Sequence, residues 1–196
     1  ETGMNMLAIN NGRPMMMNLK DIIQAFVEFR EEIIRRRTIF ELNKARDRAH
    51  VLVGLAIAVE NIDPVIELIR NAPNPQEAKD ALLRKAWPAG EVETLVKLID
   101  EPDRKVENGT YRLSEAQAKA ILDLKLQRLT GLERDKIHEE LITIGEEIKE
   151  CLSILASREK LYGIMRDEFV AIRDEYGTPR RTKIEDIEYD LSLIHI

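Results

Sequence analysis

Apolar residues between Asn18 and Asn61 recur in alternating steps of three and four. They fall at Leu19, Ile22, Phe26, Phe29 and Ile33, then at Leu42, Ala45, Ala49, Leu52, Ala56 and Val59. No proline or internal cap interrupts this run, so the spacing predicts one helix roughly 64 Å long at ~1.5 Å per residue. The alternation makes its apolar stripe a coiled-coil seam. A helix of that length cannot bury a seam against itself. The same alternation returns at Ile137, Leu141, Ile144, Ile148, Cys151 and Leu155. After a Ser157 cap it continues through Leu161, Met165, Phe169, Ile172 and Tyr176, before Gly177 and Pro179 stop it. The predicted fold is therefore mainly α: a long antiparallel two-stranded coiled coil. Residues 18–61 run outward, 130–177 return, and 62–129 form a small helical head at the tip. Setting Asn61 against Gly131 puts Arg36 opposite Ala156. That register aligns a break in the first seam, at Arg35, Arg36, Arg37 and Thr38, with the break at Ala156 and Ser157, and marks these residues as a hinge.

The remaining segments read in order. Residues 1–17 hold an apolar stretch from Met4 to Ile9, an Asn10-Asn11-Gly12 turn and a second stretch from Arg13 to Met17, a short β-hairpin. A lone hairpin is marginal in water, so this one is expected to belong to a sheet whose other strands precede residue 1. Asn18 caps the long helix, with Asp21 as its capping-box partner. Asp63 with Pro64 opens a helix through about Arg70, and Asn74 with Pro75 opens another through about Lys85, ended by Trp87-Pro88-Ala89-Gly90. A short helix is expected over Glu91–Ile99. Asn108-Gly109 joins Arg104–Glu107 to Tyr111–Leu113 as a small hairpin; Asn108-Gly109-Thr110 also fits a glycosylation acceptor, but no secretory signal accompanies it. Ser114-Glu115-Ala116-Gln117 is a capping box for a helix through Leu129, and Thr130-Gly131-Leu132-Glu133 is another. On the Ser114–Leu129 helix, Ala118, Ile121, Leu122, Leu126 and Leu129 share one broad face, while Ala116, Ala120 and Leu124 form a second apolar ridge roughly opposite. That ridge is either covered inside its own head or pressed against a second copy of the chain. Residues 178–196 read as linker and tail.

Composition narrows the chemistry. The 196 residues are 44% apolar and 34% charged with 5% aromatic, a balance that suits a helical scaffold. A net charge of −6 argues against strong nucleic-acid binding by the chain itself. The two arm strands are complementary, with eight basic and seven acidic residues in 18–61 against seven basic and twelve acidic in 131–176. One cysteine, Cys151, no signal peptide and no long apolar run point to a reducing, cytoplasmic setting without a membrane span. The chain has no phosphate-binding glycine loop, no dinucleotide fingerprint and no H-E-x-x-H pair. His50, His138 and His195 are isolated, so no metal site and no cofactor site are expected. The pairs Glu139-Glu140 and Glu146-Glu147 read as solvated helix surface. Arg35-Arg36-Arg37 could meet phosphates, yet Glu31, Glu32 and Glu41 surround it and favour local ion pairs. Tyr111, Tyr162, Tyr176 and Tyr189 lack the basic or metal context of a nucleophile. No catalytic residue is visible.

Several longer runs are distinctive: N-L-K-D-I-I from Asn18, R-R-T-I-F-E-L from Arg36, K-A-R-D-R-A-H from Lys44, N-I-D-P from Asn61 and I-E-L-I-R from Ile66. The stretch S-E-A-Q-A-K-A-I-L-D-L-K-L-Q-R-L-T-G-L-E from Ser114 and R-R-T from Arg180 extend them in order. Across roughly Met4 to Ile184 the chain resembles the A subunits of bacterial DNA gyrase, a family of type IIA topoisomerases. The topoisomerase IV A subunit shares the helix pattern, but the R-T-I-F-E-L and K-A-R-D-R-A-H wording is closer to gyrase. The resemblance implies a coiled-coil arm and an exit gate, where two A subunits touch through their heads and the transported duplex leaves during ATP-dependent negative supercoiling. It gives the ridge of Ala116, Ala120 and Leu124 the role of a dimer contact, and the joint near Arg36 and Ala156 a role in opening. It further implies a homodimer joined by the gyrase B subunit in an A2B2 holoenzyme acting on double-stranded DNA, with Mg²⁺ and ATP handled by the B subunit. The family's DNA-cleaving tyrosine lies upstream after an arginine, in a context missing here, so this segment alone is expected to be inactive. Glu1-Thr2-Gly3, Met15-Met16 and Leu191–Ile196 depart from the family pattern. Two rival readings remain: a cytosolic coiled-coil tether without enzymatic work, and a nucleic-acid-binding arm using the arginine cluster.

Overall fold

The computed structural model describes residues 6–99, 106–124 and 131–183. The first elements are β1 (Leu7–Asn10) and β2 (Arg13–Met16), an antiparallel pair with Leu7 opposite Met16 and Asn10 opposite Arg13. Their two-residue turn has φ of 50° at Asn11 and 77° at Gly12, the left-handed values that Asn-Gly supplies at low steric cost.

Helix α1 then runs unbroken for 42 residues, Leu19–Glu60, or about 63 Å. The Asn18 side chain accepts the Asp21 N–H at 2.9 Å and so satisfies one of the free donors of the first turn. Its second half buries the predicted seam at Leu42, Ala45, Ala49, Leu52 and Ala56, together with Val53, Ile57 and Ala58. The first half differs from the sequence expectation. Phe26 and Phe29 are 52% and 59% exposed, and Leu19 is exposed as well. One turn and two turns before Leu42 stand Thr38 and Ile34, and these are the buried positions. Phe29 suggested the wrong phase: it belongs to a second apolar face, which lines a shallow groove of about 630 Å³ with Ala8, Ile9 and Met17 of the hairpin segment. Phe26 borders that groove and also stacks on Phe169 of the returning chain.

Asn61 ends α1 and at once caps α2 (Ile62–Asn71), so the cap expected at Asp63 lies two residues earlier and Asp63 falls in the first turn. The Asn61 amide donates to the Ile57 carbonyl at 2.9 Å and the Val65 N–H donates to the Asn61 carbonyl at 3.1 Å, which ties the two helices through one residue. Helix α3 (Pro75–Arg84) starts from Asn74, as expected, with the Glu77 N–H on its side chain at 2.8 Å. Next come β3 (Ala86–Pro88), a 3-10 turn at Gly90–Val92 and α4 (Glu93–Ile99).

The Asn108-Gly109 turn is present, with Glu107 bridged to Thr110 across it. The strand after it, β4 (Thr110–Arg112), pairs with β3 and sets Tyr111 opposite Trp87, a pairing the local turn signal did not indicate. Helix α5 (Glu115–Asp123) follows, then α6 (Gly131–Ala156) and α7 (Arg158–Tyr176). The Thr130 capping box lies outside the described residues.

α6 and α7 lie along α1. Arg48 meets Glu140, Glu31 meets Arg158 and Arg30 meets Glu168, so the returning strands run opposite to α1. Near the base the rings of Phe26 and Phe169 stack with centroids 5.9 Å apart. One apolar core extends from Leu42 and Cys151 through Leu52, Ile57, Leu141 and Ile148 into Leu82, Trp87 and Ile121, and therefore spans α1, α6 and the elements between them. Trp87 is fully buried, and its indole N–H donates to the Leu82 carbonyl at 3.1 Å. A second, smaller core holds Ile34, Leu161 and Met165. Thr38 lies between the two cores, 3% exposed, with its hydroxyl donating to the Ile34 carbonyl at 2.9 Å. The seam is therefore interrupted at buried Thr38, while the α1 backbone continues helical through Arg35, Arg36 and Arg37. No helix among the described residues is long and apolar enough to cross a membrane.

Candidate functional site

The Ser114 capping box places α5. The Ser114 hydroxyl accepts the Gln117 N–H at 3.0 Å, and the Gln117 carboxamide oxygen accepts the Ser114 N–H at 2.8 Å. The same two residues also hold α5 on α1. The Gln117 amide donates to the His50 carbonyl at 2.7 Å and to the Tyr111 hydroxyl at 3.1 Å, and Ser114 Oγ lies 2.7 Å from His50 Nε2. Gln117 is completely buried, so each of these bonds replaces one it would otherwise make to water. Gly54 leaves room for it: a Cβ built there would come within 2.6 Å of both Gln117 Cβ and Gln117 Cγ. Ala118 and Ile121 complete the inward face.

Of the predicted ridge, Ala116 and Ala120 lie on the outward side of α5, whereas Leu124 packs against the main core. Ala116 is exposed and Ala120 half-buried. Leu124 is half-buried and no longer helical: α5 ends at Asp123, and Leu124 is an extended C-cap residue with its N–H on the Ala120 carbonyl at 3.0 Å. The helix expected through Leu129 is thus shorter, and Leu126 and Leu129 lie outside the described residues. Beside Ala116 opens a cleft of about 600 Å³ between the start of α3 and α5, lined by Pro75, Gln76, Lys79, Glu115, Ala116, Lys119, Leu122 and Asp123. The α3 side of this cleft had no sequence signal, because it forms only when α3 packs on α5.

The joint is the second candidate. Ser157 is extended (φ −125°, ψ 111°) between α6 and α7, and its hydroxyl accepts the Lys160 N–H at 3.3 Å. Ala156 is exposed beside it. On α1, Arg35 is exposed, Arg36 pairs with Glu32 at 2.6 Å and Arg37 reaches across to Glu168 at 2.6 Å. Glu168 also takes Arg30 at 2.6 Å. Burial alone would raise its pKa, but the hydrogen bonds from Arg37 and Arg30 outweigh that and hold it below the usual carboxylate value. Arg158 donates Nε and Nη2 to the two oxygens of Glu31 at 3.1 and 3.0 Å, and the Tyr162 hydroxyl donates to Glu31 at 3.0 Å. These bonds, Arg158 first, likewise lower the Glu31 pKa.

No arrangement for bond making converges elsewhere among the described residues. No cluster of three or more His, Cys, Asp or Glu side chains among them could hold a metal ion. Tyr111 is in the core, Tyr162 is bound to Glu31 and Tyr176 is exposed. Glu140 is engaged by Arg48, while Glu139, Glu146 and Glu147 face solvent. Burial pushes the Cys151 thiol pKa up, with Glu41, Glu147 and Glu150 adding to the shift.

A family model described as the A-type subunit of DNA gyrase/topoisomerase IV matches residues 1–170. Among curated relatives, the chain is 52% identical over 185 residues to the DNA gyrase A-type subunit of Granulibacter bethesdensis, covering 94% of this chain and 20% of that protein. It is 49% identical over 188 residues to the Rickettsia bellii counterpart (96% of this chain, 21% of that protein). It is 50% identical over 200 residues to the Salmonella typhimurium counterpart (97% and 23%). The chain thus spans about a fifth of the length of the relatives it matches.

Proposed function

The chain belongs to the family of DNA gyrase and topoisomerase IV A subunits, and from that premise we propose that it forms the coiled-coil arm and dimeric exit gate of a gyrase-type A subunit. The observation that carries the proposal is α5 itself. One side is locked into α1 through Gln117 and Gly54, while the other presents the small residues Ala116 and Ala120 outward; Leu124, past the helix end, packs back on the chain's own core. A helix fixed on one side and apolar on the other suits contact with a second copy. Lys79, Lys119, Glu115 and Asp123 around the neighbouring cleft balance in sign. In a two-fold contact each residue meets a different residue of the copy, so such a mixture can satisfy itself. α1 with α6 and α7 serves as the two-stranded arm, and the joint at Thr38 and Ala156–Ser157, beside Arg35–Arg37, lets it bend.

In this reading the full subunit works as a homodimer with the B subunit, in the bacterial cytoplasm, passing one DNA duplex through another. Mg²⁺ and ATP act through the B subunit, while the chain itself contributes the gate. The three relatives described above are gyrase subunits, which supports gyrase over topoisomerase IV. Occupation of Arg36 and Arg37 by Glu32 and Glu168 weighs against a DNA-binding arm.

Light scattering across a concentration series tests the gate. A reversible two-fold dimer is expected, and Ala116→Glu, at an exposed position of α5, should weaken it about tenfold or more, roughly 1.4 kcal/mol, with helix content by circular dichroism unchanged. A chain that stays monomeric throughout, or a variant that dimerises as well as the parent, would rule out the gate.

A further inference from the structure

We propose that α7 is a separable latch: it leaves α1 as a unit by turning at Ser157 while α1 and α6 stay paired, and two arginine–carboxylate clusters set how readily it leaves. Three observations lead there. The apolar contact holding α7 is small and separate. Ile34, Leu161 and Met165 form their own core, cut off from the main one by Thr38; Val27, Ile164 and Phe169 pack against it only partly buried, Phe169 also stacking on Phe26, and Ile172 and Tyr176 further along α7 are exposed. The junction is a single extended residue, with the Ser157 N–H on the Ile154 carbonyl at 3.4 Å and Lys160 Nζ on Ser153 Oγ at 2.9 Å bridging it.

The third observation is the charge pattern on either side of that small core. Toward one end, α7 offers a carboxylate, Glu168, to two α1 guanidiniums, Arg30 and Arg37. Toward the other, it offers a guanidinium, Arg158, to an α1 carboxylate, Glu31. The reversed polarity penalises any shifted register, because sliding α7 brings like charges together. Single exposed pairs contribute little, but bidentate and networked ones contribute more. Against an apolar contact this small they form a larger share of the hold than they do along α6, where a continuous core carries the pairing. Salt screens such charges, with a Debye length of about 10 Å at 0.1 M falling to about 3 Å at 1 M. Release takes place within one chain and needs no second copy, so the outcome is independent of the dimer test above.

Hydrogen exchange of the 196-residue protein at about 0.05 M and about 1 M NaCl is the test. Amides of α7 should exchange as one group, faster than those of α1 and α6 around Leu52 and Ile148, and high salt should speed them about fivefold while the latter change less than about twofold. Glu168→Gln should raise α7 exchange at low salt and flatten its salt response. Exchanging the other pair, Glu31→Arg with Arg158→Glu, should return the parent behaviour where Glu31→Arg alone does not. Exchange of α7 in step with α6, or a parent protein whose α7 amides ignore salt, would overturn the latch whether or not the variants fold.

Discussion

At Gly54 a hydrogen atom stands where any other residue would put a carbon into Gln117. In an exposed helix interior, Gly→Ala is worth about 1 kcal/mol of stabilisation. Here the sign should reverse. Gln117 is buried and held by several hydrogen bonds, so Gly54→Ala forces either a strained contact or broken bonds and should destabilise the protein by about 2 kcal/mol. Urea denaturation measures it; an unchanged or higher stability would show that the α5 contact is loose. The Ser114–Gln117 box was legible because both halves sit within four residues. Its second use was not, since the His50 carbonyl it reaches lies 67 positions away in the chain. The α1–α2 turn shows the same limit: Asp63-Pro64 carries the usual signature, yet α2 starts from Asn61, whose carbonyl accepts the Val65 N–H while its side-chain amide closes the end of α1 on the Ile57 carbonyl.

Among the elements, long periodic runs were easiest to read. α1, α6 and α7 fall close to their expected bounds, because caps at Asn18 and Ser157 and the stop at Gly177 are local devices. What periodicity left open was phase. α1 carries two apolar stripes in its first half, and only packing against α7 selects Ile34 and Thr38 over Phe29 and Ile33. Within the break read at Arg35–Thr38, the buried residue in the seam is Thr38, while Arg37 supplies an ion pair to α7. β3 was missed because three residues ending in a proline show no alternation.

The α7 contact also carries a pH dependence whose sign follows from its carboxylates. Glu31 and Glu168 both have lowered pKa values in the fold, so their contribution is complete above the ordinary carboxylate pKa. It declines as pH falls below that value and is gone beneath the depressed folded one. Thermal melts from neutral to acid pH should show Glu168→Gln less stable than the parent by about 1 kcal/mol at neutrality, with the gap closing in acid. A gap that persists below the folded pKa would assign the loss to packing rather than charge.

At the scale of the whole molecule, the main core runs without a seam from α1 and α6 into the short elements between them. The sequence suggested an arm and a head as successive segments, because linear reading separates what α1 joins in space. No described side chains converge as an acid, base, nucleophile or metal set. The isolated chain incubated with supercoiled DNA and then denatured is expected to give no covalent protein–DNA product on a gel; such a product would contradict the expectation that this segment alone is inactive.

Phe26 and Phe169 stack at 5.9 Å, so everything between them departs from and comes home to nearly one spot. Reach is thereby uncoupled from attachment. Inserting seven residues in each strand would carry the far end outward by about 10 Å at ~1.5 Å per residue and leave the footing untouched. Relatives of different span could thus share one base, with distance adjusted by paired insertions rather than by redesign.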